Sequence, residues 1–128
     1  MRSLLLVLLV PLLAACLPIP GLFYIGQLDS HDRGIFRKAA SIEGVETVDW
    51  PVPGAWVVAY GAPTHDNDGF TVPGIIFLRK SPHWEVVCTR DQMFLSISRH
   101  EIGHTKGKLD KQGTDSVMND PIPCEPDD

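Results

Sequence analysis

One stretch limits what this chain can become: His100-Glu101-Ile102-Gly103-His104-Thr105-Lys106-Gly107-Lys108-Leu109-Asp110. Its pattern is H-E-x-x-H-x-x-G-x-x-D. On a helix, His100 and His104 share a face one turn apart, and two imidazoles placed that way grip one zinc ion. Glu101 is rotated about 100° from His100. It therefore stands beside the metal rather than on it, where it can accept a proton from an attacking water. Gly107 tolerates the left-handed conformation that ends a helix and turns the chain sharply. That turn would return Asp110 to the same metal as a third ligand. Met118 follows in Ser116-Val117-Met118-Asn119. The bland alternative for the whole stretch is a solvated helix end with an incidental histidine pair.

The pattern resembles the metzincin zinc peptidases, whose signature is H-E-x-x-H-x-x-G-x-x-H followed by a methionine-containing turn. The third ligand here is Asp110 and not histidine, similar to the aspartate-type variant seen in snapalysin. The likeness is detailed from His100 to Met118 and one of general layout before that. It implies a single catalytic zinc held by His100, His104 and Asp110, with a fourth position for water, as catalytic zinc sites require. Glu101 would be general base toward the water and later general acid toward the leaving amine. Met118 would form an apolar floor under the metal without ligating it; an ordinary gap-filling core methionine is the alternative. Some relatives carry a catalytic tyrosine two residues after this methionine. Asp120 stands there in this chain and offers no such help.

The N-terminus has a different character. Arg2 precedes an apolar run from Leu4 to Leu13 and then Ala14-Ala15-Cys16. A basic start, a short apolar core and small residues before a cleavage point make a signal peptide. The run is too short to span a bilayer, which takes about 20 apolar residues. Leu13-Ala14-Ala15-Cys16 resembles the bacterial lipobox, which implies cleavage before Cys16 and lipidation of that cysteine; an ordinary secretory signal with a chance cysteine is the alternative. Residues 1–15 are thus expected to be a lipoprotein signal peptide, and 16–21 the lipidated cysteine with a proline-containing tether. Residues 22–128 would be a metzincin-like zinc peptidase domain. Removing residues 1–15 leaves 113 residues and takes Arg2 away, so the formal charge moves from −5 to −6. The acidic balance argues against nucleic acid as a partner, and no basic patch holds the protein on anionic lipid. Leu17 follows Cys16, which permits outer-membrane sorting in a Gram-negative host. Cys88 and Cys124 remain, and an exported chain is in a disulfide-permissive compartment. A bridge between them is expected, with two free thiols as the alternative.

Along the domain, Leu22 to Leu28 is a candidate first strand. Asp29 or Ser30 can cap a helix running to about Glu43 and ending at Gly44, with Ile35, Phe36, Ala39 and Ile42 at helical spacing. Val45 to Trp50 and Ala55 to Tyr60 are expected strands, the second buried. Ala62 to Pro73 is expected to be loop, and Gly74 to Leu78 a strand. Thr89-Arg90-Asp91-Gln92 has the form of a capping box that opens the helix bearing the two histidines. Met93, Ile97, His100 and His104 make one stripe on it, apolar first and metal-binding last. Trp50, Trp56 and Trp84 are expected in core or rim packing. His31 and His83 are isolated and expected at the surface.

The fold class expected from this order is α+β, with an α/β-type twisted mixed sheet and two main helices. It resembles a minimal metzincin-like zincin fold with a short C-terminal lobe. A second cluster, His65-Asp66-Asn67-Asp68-Gly69, lies where matrixin-type relatives hold structural ions. It could take calcium or zinc, though an acidic turn explains it as well. The function expected is that of a membrane-anchored zinc endopeptidase, monomeric, lipid-anchored in the cell envelope or at the cell surface, with peptide or protein substrates. The alternative is a catalytically inactive envelope lipoprotein that keeps the fold and binds a partner protein in its cleft.

Overall fold

A computed structural model describes residues 18–61, 68–82, 88–110, 117–118 and 122–124. Its elements run β1 (Leu22–Tyr24), α1 (Ser30–Glu43), β2 (Glu46–Val48), β3 (Trp56–Tyr60), β4 (Gly69–Val72), β5 (Ile75–Leu78) and α2 (Arg90–Thr105). The fold is mixed α+β: a five-stranded mixed sheet and two helices. Strand order is β2-β1-β3-β5-β4, with β4 antiparallel to β5 and every other pair parallel.

Side chains alternate across a strand, so the registers sort the sheet into two faces. Phe23, Trp56, Val58, Ile76, Leu78 and Thr71 fall on one face. Phe23, Val58, Ile76 and Leu78 are fully buried there against Phe36 of α1 and Phe94, Leu95 and Ile97 of α2. Phe23 anchors this core, with ring centroids 5.9 Å from Phe36 and 6.3 Å from Trp56. Burying each such side chain stabilises the fold by about 1.5–3 kcal/mol. The other face carries Leu22, Tyr24, Val57, Ala59, Ile75, Phe77, Phe70 and Val72, none of them buried.

Helix α1 begins at Asp29, whose side chain accepts from the Asp32 N–H at 2.8 Å, and ends at left-handed Gly44. It packs along α2, and their C-terminal ends are tied through Glu43. Arg99 Nε donates to Glu43 Oε1 at 2.8 Å, and Lys106 Nζ donates to the Glu43 carbonyl. Cys88 is disulfide-bonded to Cys124, with Cα atoms 6.0 Å apart, inside the usual range for a bridge. It fastens the tail to the start of α2. No helix among the described residues is long and apolar enough to cross a membrane.

Three local expectations need correction. The stretch expected as loop from Ala62 to Pro73 contains β4. Gly-Phe-Thr-Val is short and follows a turn-rich run, and only its pairing with β5 makes it a strand. The strands expected over Leu22–Leu28 and Val45–Trp50 are cut to three residues each: the chain turns at Gly26, where a Cβ would collide with the Asp49 carbonyl. Trp50 does not pack: it is 64% exposed. Trp56 does, and Trp84 and His83 lie outside the described residues. So do Cys16 and, in the second cluster, His65, Asp66 and Asn67. Asp68 sits 3.8 Å from Arg79 Nε. His31 is exposed and paired with Asp91 at 2.8 Å.

Candidate metal centre

The site is built at the C-terminal end of α2. The helix opens with a reciprocal capping box: the Gln92 N–H donates to Thr89 Oγ1 at 3.1 Å, and the Thr89 N–H to Gln92 Oε1 at 2.9 Å. Its early turns are buried on nearly all sides, through Met93, Phe94, Leu95 and Ile97, and its two buried serines satisfy themselves by donating to carbonyls four residues back. Ser98 reaches the Phe94 carbonyl at 2.7 Å. Rigid packing of this kind fixes where the last two turns point.

Those turns carry His100 and His104, whose rings lie edge to face with centroids 4.6 Å apart. The helix stops at Lys106, and Gly107 takes φ 83°, which lets the Lys108 N–H reach back to the Gly103 carbonyl at 3.1 Å. The reversal brings Asp110 Oδ1 to 2.9 Å from His100 Nε2 and 3.0 Å from His104 Nε2. The two Nε2 atoms are themselves 2.9 Å apart. His100, His104 and Asp110 thus meet at one point.

The outer ring nitrogens decide the tautomers. His100 Nδ1 lies 2.9 Å from the Val117 carbonyl and His104 Nδ1 lies 2.8 Å from the Lys108 carbonyl. A carbonyl only accepts, so both Nδ1 atoms carry the proton. In neutral imidazoles the two Nε2 atoms then present lone pairs, and they face a carboxylate oxygen. Three acceptors within 3.0 Å of one another repel unless positive charge lies among them. The carbonyl end of α2 adds to the demand, since a helix C-terminus favours a cation.

Zinc fits this donor set. Tetrahedral zinc with nitrogen and oxygen ligands at about 2.0–2.1 Å holds neighbouring donor atoms roughly 3.3 Å apart. The separations here, 2.9, 2.9 and 3.0 Å, are slightly tighter. The second shell that ligating histidines usually have, an acceptor on the far nitrogen, is in place for both rings.

Glu101 is 3% exposed and directed toward β4. Thr71 Oγ1 donates to Glu101 Oε2 at 2.5 Å. Gly69, on the same face of β4, leaves the room: a Cβ there would lie 2.9 Å from both Cγ and Oε1 of Glu101. Burial pushes the Glu101 carboxyl above the usual carboxylate range, opposed by the Thr71 hydrogen bond and the two imidazoles. Donor atoms of His100, Glu101 and His104 all lie within 4.8 Å of one another. Glu101 is nonetheless committed to Thr71, whereas Asp110 Oδ1 makes the close approach to both rings. Met118 is 2% exposed, and its sulfur packs on Gly103, the helix position between the two histidines where any Cβ would collide with it. It therefore packs on the helical turn that carries His104.

Sequence reasoning missed Gly69, Thr71 and Gly103. Only Gly103 had a local signal, a glycine inside a helix, which often marks a close packing contact. No family model, curated protein or solved structure matches this chain.

Proposed function

We propose that the protein is a lipid-anchored zinc endopeptidase of the cell envelope, with His100, His104 and Asp110 as ligands and Glu101 as general base. One observation carries the reading: the Nε2 atoms of two imidazoles whose Nδ1 atoms face carbonyls, and one oxygen of Asp110, converge within 3.0 Å. A proton can bridge two acceptors, whereas a divalent cation satisfies all three. Zinc bound there supplies Lewis acidity, making water nucleophilic near neutral pH and polarising the scissile carbonyl.

The chain's own residues do the rest. Glu101, in a dry pocket beside the ligands, takes the proton of the attacking water and passes it to the leaving amine. Thr71 holds one carboxylate oxygen and leaves the other for the water. Gly107 and the Lys108 carbonyl set the angle at which Asp110 and His104 meet. Met118 seals the underside of the site against solvent. The anchor rests on Leu13-Ala14-Ala15-Cys16, and the basic, apolar and small-residue order before it supports export.

Hydrolysis of unfolded casein tests the reading. The purified protein should cleave it, lose activity to a chelator and regain it with zinc. Glu101→Gln should retain zinc and thermal midpoint while its rate falls at least about 10²-fold. Full hydrolysis by Glu101→Gln, or zinc binding by wild type with no cleavage of any unfolded protein, would contradict it.

A further inference from the structure

We infer that the open face of the sheet is the surface this protein lays on the bilayer; the inference rests on the lipid-anchor part of the function proposed above and not on the metal site. Parallel sheets normally have both faces covered. Here four of the five strands run parallel, yet among the described residues both helices pack on one face. The other presents Tyr24, Val57, Phe77 and Val72, all half-buried, and Phe70, 38% exposed. Glu46, at the start of the far edge strand, is the single charged residue that the registers place on this face. A contiguous apolar surface of this kind marks a partner or a membrane.

The anchor selects the membrane. The lipobox cysteine, Cys16, precedes Leu22 by a tether of residues 17–21, and Leu22 is itself on the open face. At about 3.3–3.6 Å per residue, the tether holds the start of that face within roughly 20 Å of the acyl chains. The described end of the tether is fixed to the domain: the Ile19 N–H donates to the Gly54 carbonyl at 2.6 Å, and the Leu22 N–H bonds back to Ile19, while Ile19 remains 42% exposed. A second copy could cover the same face, but nothing fixes it there, whereas the bilayer is brought to it by the chain itself. Laid down this way, the sheet shields its apolar face. It leaves His100, Glu101 and His104, on the helix side, turned to the aqueous compartment, where a soluble or protruding polypeptide can reach them.

The test uses the full-length acylated protein in vesicles of phosphatidylethanolamine and phosphatidylglycerol, part of the lipid brominated near the headgroup end of its acyl chains. Phe70→Trp places an indole on the face, and Val72→Trp does so at a second position in case the first perturbs β4. Each should add a blue-shifted emission component, quenched by the brominated lipid beyond what the parent's three tryptophans show. Acylated Cys16, verified by mass spectrometry, with an added indole that lipid does not quench would overturn the inference alone. So would an unquenched indole in a protein that crosslinks as a dimer on the vesicle, since a second copy would then hold the face. An unacylated Cys16 would overturn the anchor reading and this inference together, leaving the metal site untouched.

Discussion

The two ends of α2 hold polar clusters built on opposite principles. At its start, Arg90 donates to both oxygens of Asp32, at 2.5 and 2.8 Å, and to the Lys80 carbonyl, and its guanidinium lies 4.4 Å from the Phe94 ring. Tyr60 donates to the same Asp32 at 2.6 Å and accepts from the Asp29 N–H. Every charge there has its counter-charge: the Arg90–Asp32 bond raises Arg90 further, and burial with its own hydrogen bond to Asp32 pushes Tyr60 well above the ordinary phenol. At the other end, two imidazoles and a carboxylate converge on one point. The first cluster is complete in the protein alone and ties β3, the segment after β5 and both helices together. The second is the one proposed to take a cation. Buried polarity that is self-satisfied reads as architecture, and polar groups that converge at a partly open point read as a candidate binding site.

Breaking the complete cluster should give the largest effect on folding. Arg90→Met leaves Asp32, 1% exposed, buried without its partner. The expected cost is about 3–5 kcal/mol in chemical denaturation, a large part of the 5–15 kcal/mol that holds a domain of this kind. Added zinc should not single out this variant for recovery. A loss below about 1 kcal/mol would mean that the network is worth no more than an exposed ion pair.

A subtler change sharpens the contrast at the metal end. Thr71→Val removes the hydroxyl that holds Glu101 while keeping shape. Hydrolysis should slow by roughly tenfold, equivalent to about 1.4 kcal/mol, mostly in kcat, with zinc affinity preserved. Thr71→Ser should restore the rate. Equal rates for wild type and Thr71→Val would show that Glu101 needs no such support.

The smallest effect is expected at Asp29, where the complete cluster meets solvent. Its carboxyl is held below the ordinary value of about 3.8, first by the Asp32 N–H it accepts. A lowered carboxylate contributes stability above its unfolded pKa and loses it as pH falls through the folded one. Asp29→Ala should therefore be less stable than wild type at pH 7, and the gap should close below about pH 4. A gap that persists unchanged at pH 2 would show that the cap acts without its charge.

How much of this was legible in the sequence differs between the two ends. The metal end is local: His100, His104, Gly107 and Asp110 fall within three helical turns of one another, so helix periodicity and one glycine brought them together on paper. The caps at Asp29, Gly44 and Thr89 were legible for the same reason. Asp32, Tyr60 and Arg90 are separated by 28 and 58 residues, and nothing in a single sequence pairs them. The hint was Asp32 itself, a charge on the stripe that continues with Phe36, Ala39 and Ala40. Strand β4 was hidden because an edge strand of four residues after a turn-rich run becomes a strand only by pairing. With β4 unseen, the contacts of Gly69 and Thr71 with Glu101 were unseen too.

The central claim is that the metal end is one cation short. Metal analysis and zinc X-ray absorption on the purified full-length protein test it directly, beside His104→Ala. Wild type should hold about one zinc per chain, with nitrogen and oxygen neighbours and no sulfur. His104→Ala should hold essentially none while its metal-free form melts close to the metal-free parent. A wild-type protein that binds no zinc at neutral pH, or a His104→Ala variant that binds it fully, would contradict the account.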